Sequence, residues 1–167
     1  MINMSLTQAR RKSSSLFYSC NDLTSLIDQS SFTPAGGNCY CDCEKMRMEL
    51  AELLESRRKI NAAIAYAKSD TFVEILCSSD PQDGTKEVSI FELGLIIYDN
   101  ESMLESYKKA RNEAIKTSRP VSEVNFSIDD TWAKCVILAE RIDYLKDMLE
   151  AAMFKTVVSI PEDSDED

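Results

Sequence analysis

The chain has 167 residues, of which 44% are hydrophobic, with four Gly, four Pro, no His and a net charge of −10. That size holds one domain with tails or two small domains, and so few turn-formers argue against an all-β or doubly wound α/β fold and favour long helices. Without His there is no Ser-His-Asp or Cys-His arrangement, and no Gly-rich phosphate loop occurs, so a non-enzyme is expected.

Residues 1–41 read as a Ser-rich flexible arm with a Cys-rich end. Arg10 and Arg11 precede Ser13, Ser14 and Ser15. Basophilic kinases favour that order, so Ser13 and Ser14 are expected phosphorylation sites, where phosphate would invert the arm's charge. Leu23, Leu26 and Ile27 have the spacing of one short amphipathic turn. The breaker cluster at 33–38, Thr-Pro-Ala-Gly-Gly-Asn, then separates arm from body.

Cys39, Cys41 and Cys43 alternate with other residues. Zinc needs four tetrahedral ligands, usually from C-x2-C turns, and C-x-C-x-C departs from that spacing. Cys77 falls at the far end of the next helix and Cys135 reads as a core thiol. Only Cys20, on the arm, is expected to reach as a fourth ligand. S-acylation, a low-pKa thiol at a helix N-terminus and plain reduced thiols are the other readings.

A first helix is expected over about 42–77, capped by Asp42. Met46, Leu50, Leu53, Arg57, Ile60, Ile64 and Ala67 make a 4-3 seam. Asp-Pro and Asp-Gly within 78–86 mark a turn. A second helix is expected over about 87–118, with Ile90, Leu93, Ile97, Asn100, Leu104, Tyr107, Arg111 and Ala114 in its seam. Residues 88–98 have strand-like composition, but the seam running past them favours helix. Gly94 costs about 1 kcal/mol there and suggests a close helix contact. Arg57 is expected opposite about Tyr107, as a cation–π pair. A third helix over about 128–154 carries Cys135, Leu138, Ile142, Leu145, Leu149 and Ala152.

Residues 156–167 read as an acidic disordered tail. Val157, Val158, Ser159 and Ile160 followed by acids resemble a SUMO-interacting motif, in which the tetrad adds a strand to a partner's sheet edge. Ser164 lies in an acid-directed kinase context.

The expected fold is therefore all-α: an elongated up-down-up three-helix bundle or antiparallel coiled coil over 42–155. The expected function is a non-enzymatic intracellular adaptor or scaffold subunit. Its seams would be completed by partner helices, within a homo- or hetero-oligomer. The alternative is a metal-linked regulatory protein, nuclear or virus-encoded, with zinc on the cysteine cluster. Net charge −10 argues against nucleic-acid binding. No apolar run of about 18 residues is present to span a membrane. The N-terminus lacks the order of a signal peptide, and six cysteines without secretion suggest reduced thiols in cytoplasm or nucleus.

Overall fold

A computed structural model describes residues 1–30, 42–117 and 128–161. The chain is mostly helical, as expected. Among the described residues there are four helices rather than three, together with two small sheets. In chain order these are β1 (Ile2–Ser5), α1 (Leu6–Ser30), α2 (Cys43–Asp70), β2 (Phe72–Leu76), β3 (Thr85–Ser89), α3 (Ile90–Thr117), α4 (Ile128–Lys155) and β4 (Val157–Ile160). A 3-10 turn, Pro81–Asp83, joins β2 to β3. Both sheets are two-stranded and antiparallel, β1 with β4 and β2 with β3.

The expectation of a flexible arm is corrected by β1 and α1. Leu6, Ala9, Ser13, Leu16, Cys20, Leu23, Ile27 and Ser30 hold strict 3-4 spacing, and each is buried or half-buried. Half of these positions are small or hydroxylated, so the seam is hidden from a hydrophobic reading while its periodicity is intact.

The first expected helix ends at Asp70, not Cys77, because the β-branched and aromatic run after it forms β2. The second begins at Ile90 rather than 87, after β3. Asp42 does cap α2: its carboxylate accepts from the Lys45 amide at 3.1 Å, and its carbonyl accepts from the Met46 amide at 3.0 Å. The tail expectation is corrected over Val157–Ile160, which is strand β4. There Val158 and Ile160 are buried.

The order β-α-α-β occurs twice, and the two copies agree in detail. Ser5 and Gln8 form a reciprocal capping box at the start of α1. The Ser5 amide donates to Gln8 Oε1 at 2.9 Å, and the Gln8 amide donates to Ser5 Oγ at 3.2 Å. Ser89 and Glu92 do the same at the start of α3, at 2.9 and 3.1 Å. The Leu6 amide donates to the Thr156 carbonyl at 2.9 Å, and the Ile90 amide to the Thr71 carbonyl at 3.0 Å. Thr71 and Thr156 are the single residues between α2 and β2 and between α4 and β4. Each opens the strand pattern Thr-x-Val-x-Ile. The seams correspond as well: Leu6 with Ile90, Ala9 with Leu93, Ile60 with Leu145 and Ala67 with Ala152, all buried.

The chain divides into two compact units, residues Met1–Ala67 with Phe154–Asp167, and residues Lys68–Met153. The first contains β1, α1, most of α2, and β4. Its helices meet where Ser13 Oγ donates to Asn61 Oδ1 at 2.6 Å and where the Arg57 guanidinium lies 4.7 Å from the centre of the Phe17 ring. The higher α1 residue meets the lower α2 residue, so the pair is antiparallel. Arg57 thus finds its aromatic on α1, not at Tyr107, because α1 and not α3 is its hairpin mate.

The second unit contains β2, β3, α3 and most of α4. Ile75, Val88, Leu93, Ile97 and Leu145 form its core, flanked by Val73, Ile96, Tyr144, Met148 and Leu149. Lys146 Nζ pairs with Glu101 at 2.6 Å across the two helices. Gly84 takes φ +80 at the end of the β2–β3 turn, a conformation that L side chains rarely adopt. Gly94 has open space where a Cβ would sit, so no close helix contact requires it.

Candidate partner-binding surface

The seams expected to receive a partner are largely consumed within the chain. Ile60, Ile90, Leu93, Ile97, Ile142 and Leu145 are buried, and Met46, Leu50, Leu53, Ile64, Leu104, Leu138 and Leu149 are half-buried. Each helix already has a mate in its own unit. What remains for a partner lies on the opposite faces.

The outer face of α3 is apolar over its first two turns, as is that of α4 at Trp132, Val136 and Ile137. Phe91, Leu95 and Tyr98 stand at i, i+4 and i+7 and are 55%, 50% and 68% exposed. This face points away from the seam, because Ile90, Leu93 and Ile97 take the inward positions. The corresponding residues of α1 are Thr7, Arg11 and Ser14. The shared repeat skeleton therefore gives no reason for an aromatic stripe on α3. Apolar residues aligned on one exposed face are the usual mark of a contact surface.

Charge flanks the stripe. Glu87, Glu92, Asp99 and Glu101 all fall in β3 or the first half of α3, and Glu105 lies one turn beyond. Ser89 holds the Glu92 carboxyl below its usual range, first through its backbone amide and then through its hydroxyl. The described residues of the second unit carry nine Lys or Arg against sixteen Asp or Glu, a net of −7. Those of the first unit carry nine against seven, a net of +2.

The surface rests on a fixed support. Beneath α3, the open edge of β2 is held by α4. The Leu76 amide donates to Tyr144 Oη at 3.1 Å, while Arg141 donates to the carbonyl of Leu76 and, at 3.2 Å, to that of Ser78. The Arg141 guanidinium also lies 5.3 Å from the Tyr144 ring centre. In the first unit, Pro161 stands where Leu76 stands in the second and has no amide to satisfy. Side chains thus occupy one sheet edge and proline ends the other.

The remaining sequence-derived sites separate from one another. Ser13 is buried in the α1 seam and bonded to Asn61, so it is not presented to a kinase, whereas Ser14 is exposed. Val158 and Ile160 pair with β1 residues Met4 and Ile2, so the strand-forming tetrad has an internal partner. Val157 keeps 63% exposure. Ser164, Cys39 and Cys41 lie outside the described residues. Cys20 is buried in the α1 seam, and the hairpin register places it level with about residue 54 of α2. That is roughly 16 Å along the helix from Cys43 at 1.5 Å per residue. Cys20 therefore stands apart from Cys43 along the α1–α2 hairpin. Among the described residues no group of three or more His, Cys, Asp or Glu side chains could hold a metal ion.

A shallow depression on the second half of α3 is lined by that helix alone, with Ser102, Glu105, Lys109 and Asn112 among its residues. It brings no side chains together from different elements. Among the described residues no helix is long and apolar enough to cross a membrane.

No protein-family model matches the chain. No curated protein matches it either. A solved structure does resemble it: the crystal structure of a functionally unknown conserved protein from Corynebacterium diphtheriae. That structure aligns with a TM-score of 0.72 over 95% of this chain and 100% of that one, at 13% sequence identity. At this identity the likeness is one of fold.

Proposed function

We propose that this chain is a non-enzymatic adaptor or scaffold subunit of the cytoplasm or nucleus, and that it engages a protein partner through the outer face of α3. The observation that carries this reading is the Phe91, Leu95 and Tyr98 stripe. It is exposed, it has helical spacing, and the equivalent face of α1 is polar. The partner that suits it is an amphipathic helix with an apolar stripe and basic flanks, matched to Glu92 and Asp99. Ser14 and Ser164 are the residues where phosphorylation would tune the chain's terminal segments. Zinc has weaker support, since Cys20 stands apart from Cys43.

The test is purification from cells of the intact chain and of a Leu95→Glu/Tyr98→Glu variant, with cross-linking to map the contact. The expected result is a stoichiometric helical partner cross-linked to α3 and lost from the variant. The variant should keep wild-type stability to within about 0.5 kcal/mol, since the changes are at the surface. A monodisperse monomer that captures nothing, or capture that the variant leaves unchanged, would overturn the reading.

A further inference from the structure

We infer that the chain is a covalently joined, strand-exchanged dimer of two β-α-α-β repeats, in which each half is the binding partner of the other. The inference is independent of the adaptor reading.

Three observations carry it. The first is the repeat itself. The capping boxes Ser5-Leu6-Thr7-Gln8 and Ser89-Ile90-Phe91-Glu92 and the α1 and α3 seams correspond at a displacement of 84 residues, and the α2 and α4 seams and the segments Thr71–Ile75 and Thr156–Ile160 at 85. The second is the pairing. The last strand of the first repeat, β2, pairs with the first strand of the second, β3, while β4 of the second repeat returns to β1 of the first. Neither repeat pairs its own two strands. The third is the helix-start bond. The carbonyl of Thr156 accepts the first amide of α1, and that of Thr71 accepts the first amide of α3. Each repeat therefore supplies the other with both a strand and a cap for an otherwise free helix amide.

This is the arrangement that two separate β-α-α-β chains would make on exchanging their last strands, a low-cost route to a closed dimer. In this chain the two copies are joined through the turn between β2 and β3. That turn need not hold the halves together, because pairing in both sheets already does so. The occupant of each open strand edge is thus the opposite half, recognised through Thr-x-Val-x-Ile. The site would accept that half supplied as a separate chain.

The test uses the full chain with a protease recognition sequence inserted between Gln82 and Asp83, in a turn whose residues are exposed. After cleavage the two fragments should elute together at the mass of the intact chain, 18.8 kDa. Their helicity should be unchanged, and their melting temperature should rise with concentration, as for a two-chain complex. Asn3 and Ser159 are directly opposed and exposed, with Ser159 Oγ donating to Asn3 Oδ1 at 2.8 Å. An Asn3→Cys/Ser159→Cys version should therefore join the cut fragments on a denaturing gel after oxidation, and the parent should not. Fragments that separate in native buffer, each keeping its helicity, would overturn the inference, as would failure of the engineered cysteines to join them. Should the insertion itself prevent folding, a circular permutant decides. It starts at Asp83 and links Asp167 to Met1 through a Gly-Ser segment, giving the repeats in reversed order. Wild-type helicity supports the inference, and an unfolded permutant rejects it.

Discussion

The two units solve the same packing problem with different residues. In the second unit the core is Ile75, Val88, Leu93, Ile97 and Leu145. The matching positions of the first are Ile160, Met4, Ala9, Ser13 and Ile60. A leucine and an isoleucine are thus replaced by an alanine and a serine, and the serine spends its hydroxyl on Asn61. Further along the seams each unit holds an arginine, Arg57 in one and Arg111 in the other, and both have a buried Nε without a hydrogen-bond partner. The first unit is therefore more polar inside, and the start of its α1 is more polar outside than the start of α3. A common backbone plan tolerates both because capping boxes, helix-start bonds and strand pairing are shared, and these do not depend on what fills the seam.

The largest expected difference is in the cores. Leu145→Ala should cost about 3–4 kcal/mol, because its neighbours are branched side chains that cannot close the cavity. Ile60→Ala should cost about 2 kcal/mol, since small residues face it across the hairpin. Urea unfolding of the two variants measures both, and equal losses would break the comparison. Next come the boxes. Ser89→Ala and Ser5→Ala should each cost about 1 kcal/mol, and similar values would confirm that the caps are equivalent. Gly94→Ala is smaller and opposite in sign. With open space for the methyl group, it should stabilise the second unit by about 0.5–1 kcal/mol.

The finest distinction is in acid. Glu92 has its pKa lowered in the folded chain from 4.5, because the Ser89 amide and hydroxyl hold its carboxylate. Its contribution is fully present above that ordinary value and is lost as pH falls through the lower, folded one. Gln8 does not titrate. Amide protection at the start of α3 should therefore fall on acidification, relative to that at the start of α1. Glu92→Gln should abolish the difference, and a loss that survives this substitution would assign the effect elsewhere.

Much of the helical architecture was legible in the residues. The α2, α3 and α4 seams stand where 3-4 spacing placed them, since Leu, Ile and Met mark an inward face without tertiary information. The α1 seam was not legible as a hydrophobic pattern, because Ala9, Ser13, Cys20 and Ser30 do not announce burial. Strands β2 and β4 are ambiguous in the sequence for another reason. A run of four or five residues rich in β-branched side chains suits a strand, a helix end or a loose docking tail equally well, and only the pairing partner decides. For β4 that partner is about 155 residues away in sequence. The signal that would have exposed it is the repeat: the chain aligned to itself brings Thr71–Ile75 onto Thr156–Ile160. The aromatic stripe of α3 was visible as residues but not as a surface, since its outward direction follows only once the seam has a mate.

The pairing of Ile2 with Ile160 also sets an order of events during synthesis. The hairpin of β2 and β3 closes between Leu76 and Thr85, whereas the sheet of β1 and β4 closes across nearly the whole chain. For a flexible chain the longer loop costs roughly 2.5 kcal/mol more in closure entropy. A ribosome releases β1 long before β4, so the first unit waits with an unpaired strand until residues 157–160 have been made. The second unit, with all of its strands in one local stretch, has no such delay. A chain stalled or truncated before residue 157 would thus display β1 as an open edge, and quality-control factors that read unpaired strands would meet it there first.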